Sequence, residues 1–321
     1  MAHFVTLVVP ESIESCPENQ PPFTFTSSLL QLCSRQDCQP VHKYNEKAVA
    51  LLVGDGHGGH KCASIIDENS EKILTEILTN GAESAMAMAD NVCSSARDGA
   101  MLTLLHYDLE TRIITIVSRG DCSCVVHQNG DILHEQCHHS YAVVESNAIL
   151  LKQAEDMGIH LYTTFRPNGP ILTPDPDGIT MDVKFAPTYF RWDNDCTVVQ
   201  SASFVGHSKI ARLPAFVSVV EVPLGPFRIC MTSDGVSDVV HPADAIMVSS
   251  TAEVIAEEAY TRWCTPFFSE SFDPRLSDNN ENGHLVINPR QTTVSTTNDG
   301  TILRTNKGGD DISVAVLDVH K

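Results

Sequence analysis

Basic residues are scarce in this 321-residue sequence, which has 21 Lys and Arg against 41 Asp and Glu and a net charge of −20. Such an excess of negative charge repels nucleic-acid phosphates and the anionic face of a membrane. We therefore expect neither a nucleic-acid partner nor a membrane partner. The same acidity suits the binding of cations or basic peptide segments, although much of it also fits an ordinary solvated surface.

Long apolar runs are also missing, and none approaches the roughly 20 residues that a membrane-spanning helix needs. The first ten residues contain no Lys or Arg, and their apolar stretch is too short for a secretory signal. The eleven cysteines, an odd number, are scattered rather than spaced as a disulfide framework. These features predict a reducing, intracellular location, in the cytoplasm and compatible with the nucleus.

Hydrophobic residues make up 42% of the sequence, which is typical of a globular protein, and no internal repeat or flexible linker divides it. We therefore predict one domain over residues 1–321. Proline-rich segments within residues 140–225 predict a variable surface region. The polar residues 265–307 predict an inserted loop or hairpin.

Apolar periodicity predicts a mixture of helices and strands. Helices are predicted over residues 62–78, 82–96, 242–248 and 251–264, where apolar side chains recur at helical spacing. Apolar runs predict strands at residues 48–52, 227–231 and 312–319. Three further strand-like runs between residues 99 and 128 predict an antiparallel meander.

The sequence is organised around residues 53–60, which read V-G-D-G-H-G-G-H between a predicted strand and a predicted helix. Glycines allow positive φ and let the backbone approach a bound group closely. Asp55 offers a hard oxygen ligand for a metal ion, and His57 offers a proton donor. Taken alone, the pattern is also typical of a plain Asx turn.

Two more aspartates lie beside glycine at strand ends. Asp234 follows the predicted strand 227–231, and Asp310 precedes the predicted strand 312–319. Neighbouring strands can bring remote carboxylates to one point, where their mutual repulsion must be offset by cations. Together with Asp55, these residues predict a site for Mg²⁺ or Mn²⁺.

These motifs resemble those of the PPM (type 2C) metal-dependent protein serine/threonine phosphatases. The resemblance rests on D-G-H-G-G at 55–59, S-D-G-V-S-D at 233–238 and G-D-D-I-S-V at 309–314, in the family's order. A weaker match is R-G-D-C at 119–122. The resemblance implies an α+β fold, with a central β-sandwich of two antiparallel sheets flanked by helices. It also makes residues 140–225 the counterpart of a variable flap that contacts substrate.

The resemblance implies two metal ions in a cleft at one edge of the sandwich. Asp55 would bridge the two ions. Asp234 and Asp310 would complete the ligands of one ion, and the backbone carbonyl of Gly56 those of the other.

Two outer aspartates are implied as further members of the site. Asp37, in the Q-D pair at residues 36–37, would reach a metal directly or through a water; an exposed loop aspartate is the alternative. Asp121 would help to hold a third, looser ion, and a simple turn residue is the alternative.

The implied reaction is the hydrolysis of phosphoserine and phosphothreonine in proteins. A metal-activated water attacks phosphorus without a covalent phosphoenzyme, and His57 would protonate the leaving oxygen. Phosphorylated proteins are therefore the implied partners.

One feature of the family is missing. A phosphate-binding arginine is expected five residues before Asp37, and this sequence has Leu32 there. Arg35 or Lys43 could replace it, because a cationic side chain, above all the guanidinium fork, matches phosphate oxygens. The displacement keeps a second interpretation open, in which the protein is a phosphatase-like regulatory or binding protein with little or no turnover.

Overall fold

The computed structural model describes residues 3–5, 21–32, 36–136, 162–168, 184–192, 198–199, 205–206, 214–264, 292–296, 302–306 and 310–320. Among the predicted site residues, Arg35 lies outside this part of the chain.

The described strands, in chain order, are β1 (His3–Val5), β2 (Phe23–Gln31), β3 (Val41–Tyr44), β4 (Ala48–His57), β5 (Gly99–Asp108), β6 (Ile113–Arg119), β7 (Ser123–Gln128), β8 (Asp131–Glu135), β9 (Tyr162–Asn168), β10 (Lys184–Trp192), β11 (Val198–Val199), β12 (Val205–Gly206), β13 (Phe216–Glu221), β14 (Phe227–Thr232), β15 (Thr292–Thr296), β16 (Ile302–Asn306) and β17 (Ile312–Val319). The described helices are α1 (Lys61–Asn80), α2 (Ala82–Val92), α3 (Asp234–Ser237), α4 (Ala245–Ser249) and α5 (Ala252–Cys264).

Two antiparallel sheets form the centre of the molecule. The first sheet has the order β1-β2-β17-β14-β7-β8, and the second has the order β13-β6-β5-β4-β3, with β12 also paired to β5. Alternate residues of a strand point to opposite faces of its sheet. In β4, Val49, Leu51 and Val53 therefore fill the space between the sheets, while Ala50 and Leu52 pack on the other side.

Helices cover both outer faces of this sandwich. Buried residues of α1 and α2 pack against the second sheet, and buried residues of α3, α4 and α5 pack against the first sheet. Gly81 caps the C-terminus of helix α1; it has a φ of 91° and donates its N–H to the carbonyl of Ile77. The layers confirm the predicted α+β sandwich flanked by helices.

The predicted meander between residues 99 and 128 is wrong in its last step. β5 pairs with β6, but β7 pairs with β14 and β8 in the other sheet. The chain crosses between sheets at Gly120, which has a φ of 90° and lies so close to Met101 that a side chain there would overlap it. Asp121 therefore lies at a sheet crossing and not in a hairpin turn.

The two predicted surface regions are described only in part. Within residues 140–225, β9, β10 and β11 form a three-stranded antiparallel sheet, and within residues 265–307, β15 and β16 form a hairpin. The remaining residues of these regions lie largely outside the described ranges, so the single-domain organisation stays a prediction. A helix of sufficient length and apolarity to cross a membrane is not found in the described part of the chain.

Candidate metal centre

The candidate metal centre lies at one end of the sandwich, where strands of both sheets end. Asp55 lies near the end of β4, opposite Met101 of β5. Asp234 directly begins α3 after β14, and Asp310 lies two residues before β17. Because β14 and β17 are paired neighbours, their adjacent ends bring these last two aspartates to the same place.

The carboxyl groups of Asp55 and Asp234 are close enough to hydrogen-bond with each other. Asp55 is 6% exposed. Burial, followed by repulsion from Asp234, raises the pKa of Asp55 well above its usual value. Burial likewise raises the pKa of Asp234. The two remote motifs therefore meet at a pair of buried carboxyl groups.

Asp37 lies in the same cluster and is only 2% exposed. Burial raises the pKa of its carboxyl well above the usual value, and repulsion from Asp234 adds to the rise. Hydrogen bonds with the hydroxyls of Ser233 and Ser313 offset part of it. Asp37 is thus a buried member of the cluster and not an exposed loop residue.

Asp121 and Asp310 complete the outer side of the cluster. Asp121 is half-buried, and burial together with repulsion from Asp234 raises its pKa to about 8. Asp310 lies at the exposed rim, where desolvation by the surrounding protein and repulsion from Asp234 raise its pKa to about 7. Five aspartates of the predicted site are therefore neighbours.

This donor set fits a hard divalent cation. One buried carboxyl oxygen in each of Asp37, Asp121 and Asp234 has no hydrogen-bond partner. Burying such an oxygen costs free energy unless a cation or a hydrogen-bond donor satisfies it. Oxygen ligands of this kind favour Mg²⁺ or Mn²⁺. Within the described ranges, no three His, Cys, Asp or Glu side chains are already arranged around a common point for an ion.

Asp311 is a site residue that the sequence analysis missed. It is 1% exposed, and its carboxylate accepts the backbone N–H groups of Leu32 at 2.5 Å and Gln36 at 2.6 Å. It therefore fixes the segment that leads to Asp37. The sequence signal for Asp311 is its position beside Asp310, but the motif predicts a metal-binding role for Asp310 alone.

His57 is half-buried at the end of β4 and is paired with Gly99 at the start of β5. The turn after it begins at Gly58, which has a φ of 74°. Asp98 accepts the backbone N–H of Lys61 at 2.7 Å and so holds the start of α1 beside this turn. The sequence analysis also missed Asp98, which lies in no recognised motif.

The structure shows what occupies the position of the missing arginine. Leu32 is partly buried and packs against the apolar cluster beneath α5. Lys43 bonds to the carboxylate of Glu71 and, at 2.9 Å, to the hydroxyl of Thr75, both on α1. Lys43 is thus engaged on the helix face, and Arg35 lies outside the described residues.

Similarity to known proteins is visible in structure and not in sequence. No family sequence model matches the chain, and no curated protein sequence matches it either. A solved C. elegans sex-determining protein is similar, with a TM-score of 0.59 and 13% identity over 96% of this chain and 68% of that chain. Serine-threonine phosphatase 2C from Toxoplasma gondii is similar over 99% of both chains, with a TM-score of 0.53 and 10% identity. The chain therefore has the fold of the PPM (type 2C) serine/threonine phosphatases.

Proposed function

We propose that the protein hydrolyses phosphoserine and phosphothreonine in proteins with the help of bound Mg²⁺ or Mn²⁺. The observation that carries this proposal is the meeting of Asp55, Asp234 and Asp310, which lie far apart in the sequence, at one end of the sandwich. Clustering carboxylates costs free energy unless cations offset their repulsion. Bound cations would offset this cost, so the cluster supports a cation-binding function.

Each carboxylate has a proposed place in metal binding. Asp55, Asp234 and Asp310 would hold one ion, and Asp55 with the carbonyl oxygen of Gly56 would hold a second. Asp37 would contribute directly or through a water. Bound divalent ions lower the pKa of water and so supply a nucleophile near neutral pH.

Asp121 is proposed to help hold a third, looser ion. Its half-buried position and its buried carboxyl oxygen without a hydrogen-bond partner support this proposal. A third ion there would be the first to dissociate.

His57 is the proposed proton donor to the leaving serine or threonine oxygen. A serine alkoxide is strongly basic, so it needs a proton as the P–O bond breaks. The position of His57, two residues after Asp55 on the same strand end, supports this role because both side chains belong to one rigid element.

The test is release of phosphate from a phosphoserine peptide by the full chain. We expect activity with Mn²⁺, loss of activity with EDTA, and loss on every substrate in Asp234→Asn. Mutation of a residue that hydrogen-bonds to a metal ligand typically lowers metal affinity ~10–100-fold. Because Asp234 is a proposed ligand itself, the Mn²⁺ affinity of this variant should fall by more than that. Asp131→Asn is the matched control, since Asp131 is exposed at the edge strand β8. An unchanged Mn²⁺ titration in Asp234→Asn would contradict the proposal.

A phosphatase-like regulatory protein is the second candidate, and one observation favours it. Leu32 packs into the apolar cluster, so the position expected to bind phosphate supplies no cation. Arg35 is our proposed replacement. Arg35→Ala should raise KM for a phosphopeptide, whereas a regulatory protein should bind that peptide without releasing phosphate.

The location proposed for the protein is the cytoplasm. Support comes from the cysteines in the described residues, since Cys38, Cys62, Cys122, Cys124 and Cys230 are all buried free thiols. Free thiols are typical of a reducing compartment.

A further inference from the structure

The start of helix α1, just after the turn that follows His57, depends on a side chain from elsewhere in the chain. Within the described residues, the N-cap residue His60 makes no side-chain hydrogen bond to the helix, and the first turn contains no acidic residue. The first N–H groups of a helix have no partner within it and need an acceptor from outside. The carboxylate of Asp98, 37 positions further along the chain, accepts the N–H of Lys61 at 2.7 Å and so caps the helix.

The carboxylate of Asp98 also lies against the turn itself. A Cβ atom at Gly59 would lie only 2.6 Å from Asp98 Oδ2, so the two groups are in direct contact. A second side chain holds the same turn. The amide of Gln36, with its nitrogen towards Gly56, donates to the carbonyl oxygen of Gly56 at 3.1 Å and accepts the N–H of Gly59 at 3.2 Å. Two side chains that are remote in the sequence therefore confine this turn.

The backbone beside Asp98 is paired with His57. The next residue, Gly99, begins β5 and lies opposite His57 at the end of β4. On its other edge Gly99 lies opposite Gly206 of β12. A Cβ atom at Gly206 would lie 2.8 Å from the carbonyl oxygen of Asp98, so β12 packs directly on this backbone. The carboxylate of Asp98 thus extends from a backbone that is fixed between β4 and β12.

The carboxylate of Asp98 acts on the turn and not on the aspartate cluster. Burial, followed by the charge of Asp234, raises the pKa of Asp55, and Asp98 is not one of the charges that contribute. Oδ1 of Asp98 is buried and has no hydrogen-bond partner among the described residues. A buried oxygen without a partner costs free energy, so packing alone would favour an uncharged side chain at this position. The contacts of Oδ2 with the turn and with α1 are what such a side chain would lose.

We propose that Asp98 is a positioning residue for His57, because its carboxylate holds the turn that follows and so fixes the imidazole relative to the leaving oxygen. This inference rests on the proposed function and adds a residue to it. A proton donor must lie within hydrogen-bond reach of the oxygen that it protonates. Asp98 itself would contact neither the metal ions nor the substrate.

The test compares kcat of the full chain, saturated with Mn²⁺, on a phosphoserine peptide and on an aryl phosphate. In Asp98→Ala, kcat on the phosphoserine peptide should fall by about 10- to 100-fold, since misplacement of a catalytic group by about 1 Å has an effect of this size. Hydrolysis of the aryl phosphate should fall far less, because a phenolate leaves without a proton. The Mn²⁺ affinity, measured by calorimetry, should stay that of the wild type.

Two further variants sharpen the test. Asp98→Asn keeps an oxygen that can accept the Lys61 N–H, and Asn caps helices about as well as Asp, so this variant should restore most of kcat. Asp108→Ala is the matched control at the far end of β5, where the Asp108 carboxylate accepts the N–H groups of Glu110 at 2.9 Å and Thr111 at 2.8 Å. The ratio of the two kcat values should be unchanged in this control.

Equal losses on the two substrates in Asp98→Ala, no loss, or an Asp98→Asn variant as slow as Asp98→Ala would overturn this inference and leave the proposed function standing. The same selective loss in Asp108→Ala would also overturn it. A wild type without phosphatase activity would overturn both. If Asp98→Ala does not fold, hydrogen exchange of the wild type decides, since a Lys61 amide that exchanges as fast as an unprotected one would show that Asp98 does not hold the turn.

Discussion

The turn that follows β4 and the short helix α3 that follows β14 both border one carboxylate cluster, and each is held by hydrogen bonds from side chains remote in the sequence. At the β4 turn, which carries His57, the contacts are polar and come from the side chains of Gln36 and Asp98. At α3, which carries Asp234, the indole N–H of Trp263 donates to the carbonyl of Gly235 at 2.6 Å.

The packing around the β4 turn and around α3 differs. Val236 of α3 is fully buried in the apolar cluster formed with α5, whereas Gly58 and His60 of the β4 turn are exposed. Apolar packing is insensitive to charge, while amide and carboxylate contacts respond to it. The β4 turn is therefore the more exposed side of the centre, and α3 is the more closely packed side.

The largest effect is expected for His57→Ala, which changes the residue at the end of β4, beside the exposed turn. Loss of a general acid should slow hydrolysis of a phosphoserine peptide by about 10²–10⁴-fold. Hydrolysis of an aryl phosphate should fall far less, because a phenolate leaves without a proton. Parallel measurement of kcat on the two substrates checks this, and equal losses on both would remove His57 from the role of acid.

The carboxylates between the two turns predict a pH effect on the metal-free protein. Their pKa values are raised in the folded state, to about 7 for Asp310 and about 8 for Asp121, above the unfolded value near ~3.9. Between these values the folded state binds more protons than the unfolded state, so the free energy of unfolding falls as pH rises from about 4 to about 8.

Thermal unfolding in EDTA measures this effect. We expect Tm to be lower at pH 8 than at pH 5.5, and Mn²⁺ to reverse the trend. Asp121→Asn should raise the Tm of the metal-free protein at pH 8 more than at pH 5.5, because a neutral amide removes one buried charge. A Tm that rises with pH in EDTA would show that the carboxylates do not repel one another.

The smallest expected effect comes from Trp263→Phe, which keeps an aromatic ring and removes the hydrogen bond to Gly235. A hydrogen bond contributes about 0.5–1.5 kcal/mol, so Mn²⁺ affinity should fall about two- to tenfold. Calorimetry with Mn²⁺ checks this, with Trp192→Phe as the control because it is the other tryptophan of the chain. If both variants bind Mn²⁺ like the wild type, Trp263 does not hold the Asp234 side.

Much of the fold follows from local sequence patterns. The apolar run at residues 48–52 predicts a strand, and these residues lie in β4, which is buried on both faces. Helical spacing after residue 60 and the glycine at 81 define α1. The error at residues 119–123 has a clear origin, since alternation tells which residues are buried but not which strand pairs with which. The chain crosses between the sheets at Gly120, which has a positive φ, and β7 therefore pairs in the other sheet.

In the candidate site, too, local sequence identifies some residues and not others. Glycine-flanked aspartates at strand ends identified Asp55, Asp234 and Asp310 as members of the site, and the structure brings them together. Gln36, Asp311 and Trp263 carry no such local mark. Their partners are remote in the sequence: Trp263 and Gly235 are 28 positions apart, Gln36 and Asp311 are 275 apart, and Leu32 and Asp311 are 279 apart.

The sequence by itself determined the identity of the carboxylates and the strands that end beside them, because both depend on residue type and local periodicity. Only the tertiary structure decided how these strands are ordered, which carboxyl groups are buried against each other, and which side chains hold the two turns. Those properties depend on contacts between remote segments, and the raised pKa values and unpaired oxygens exist only once such contacts form.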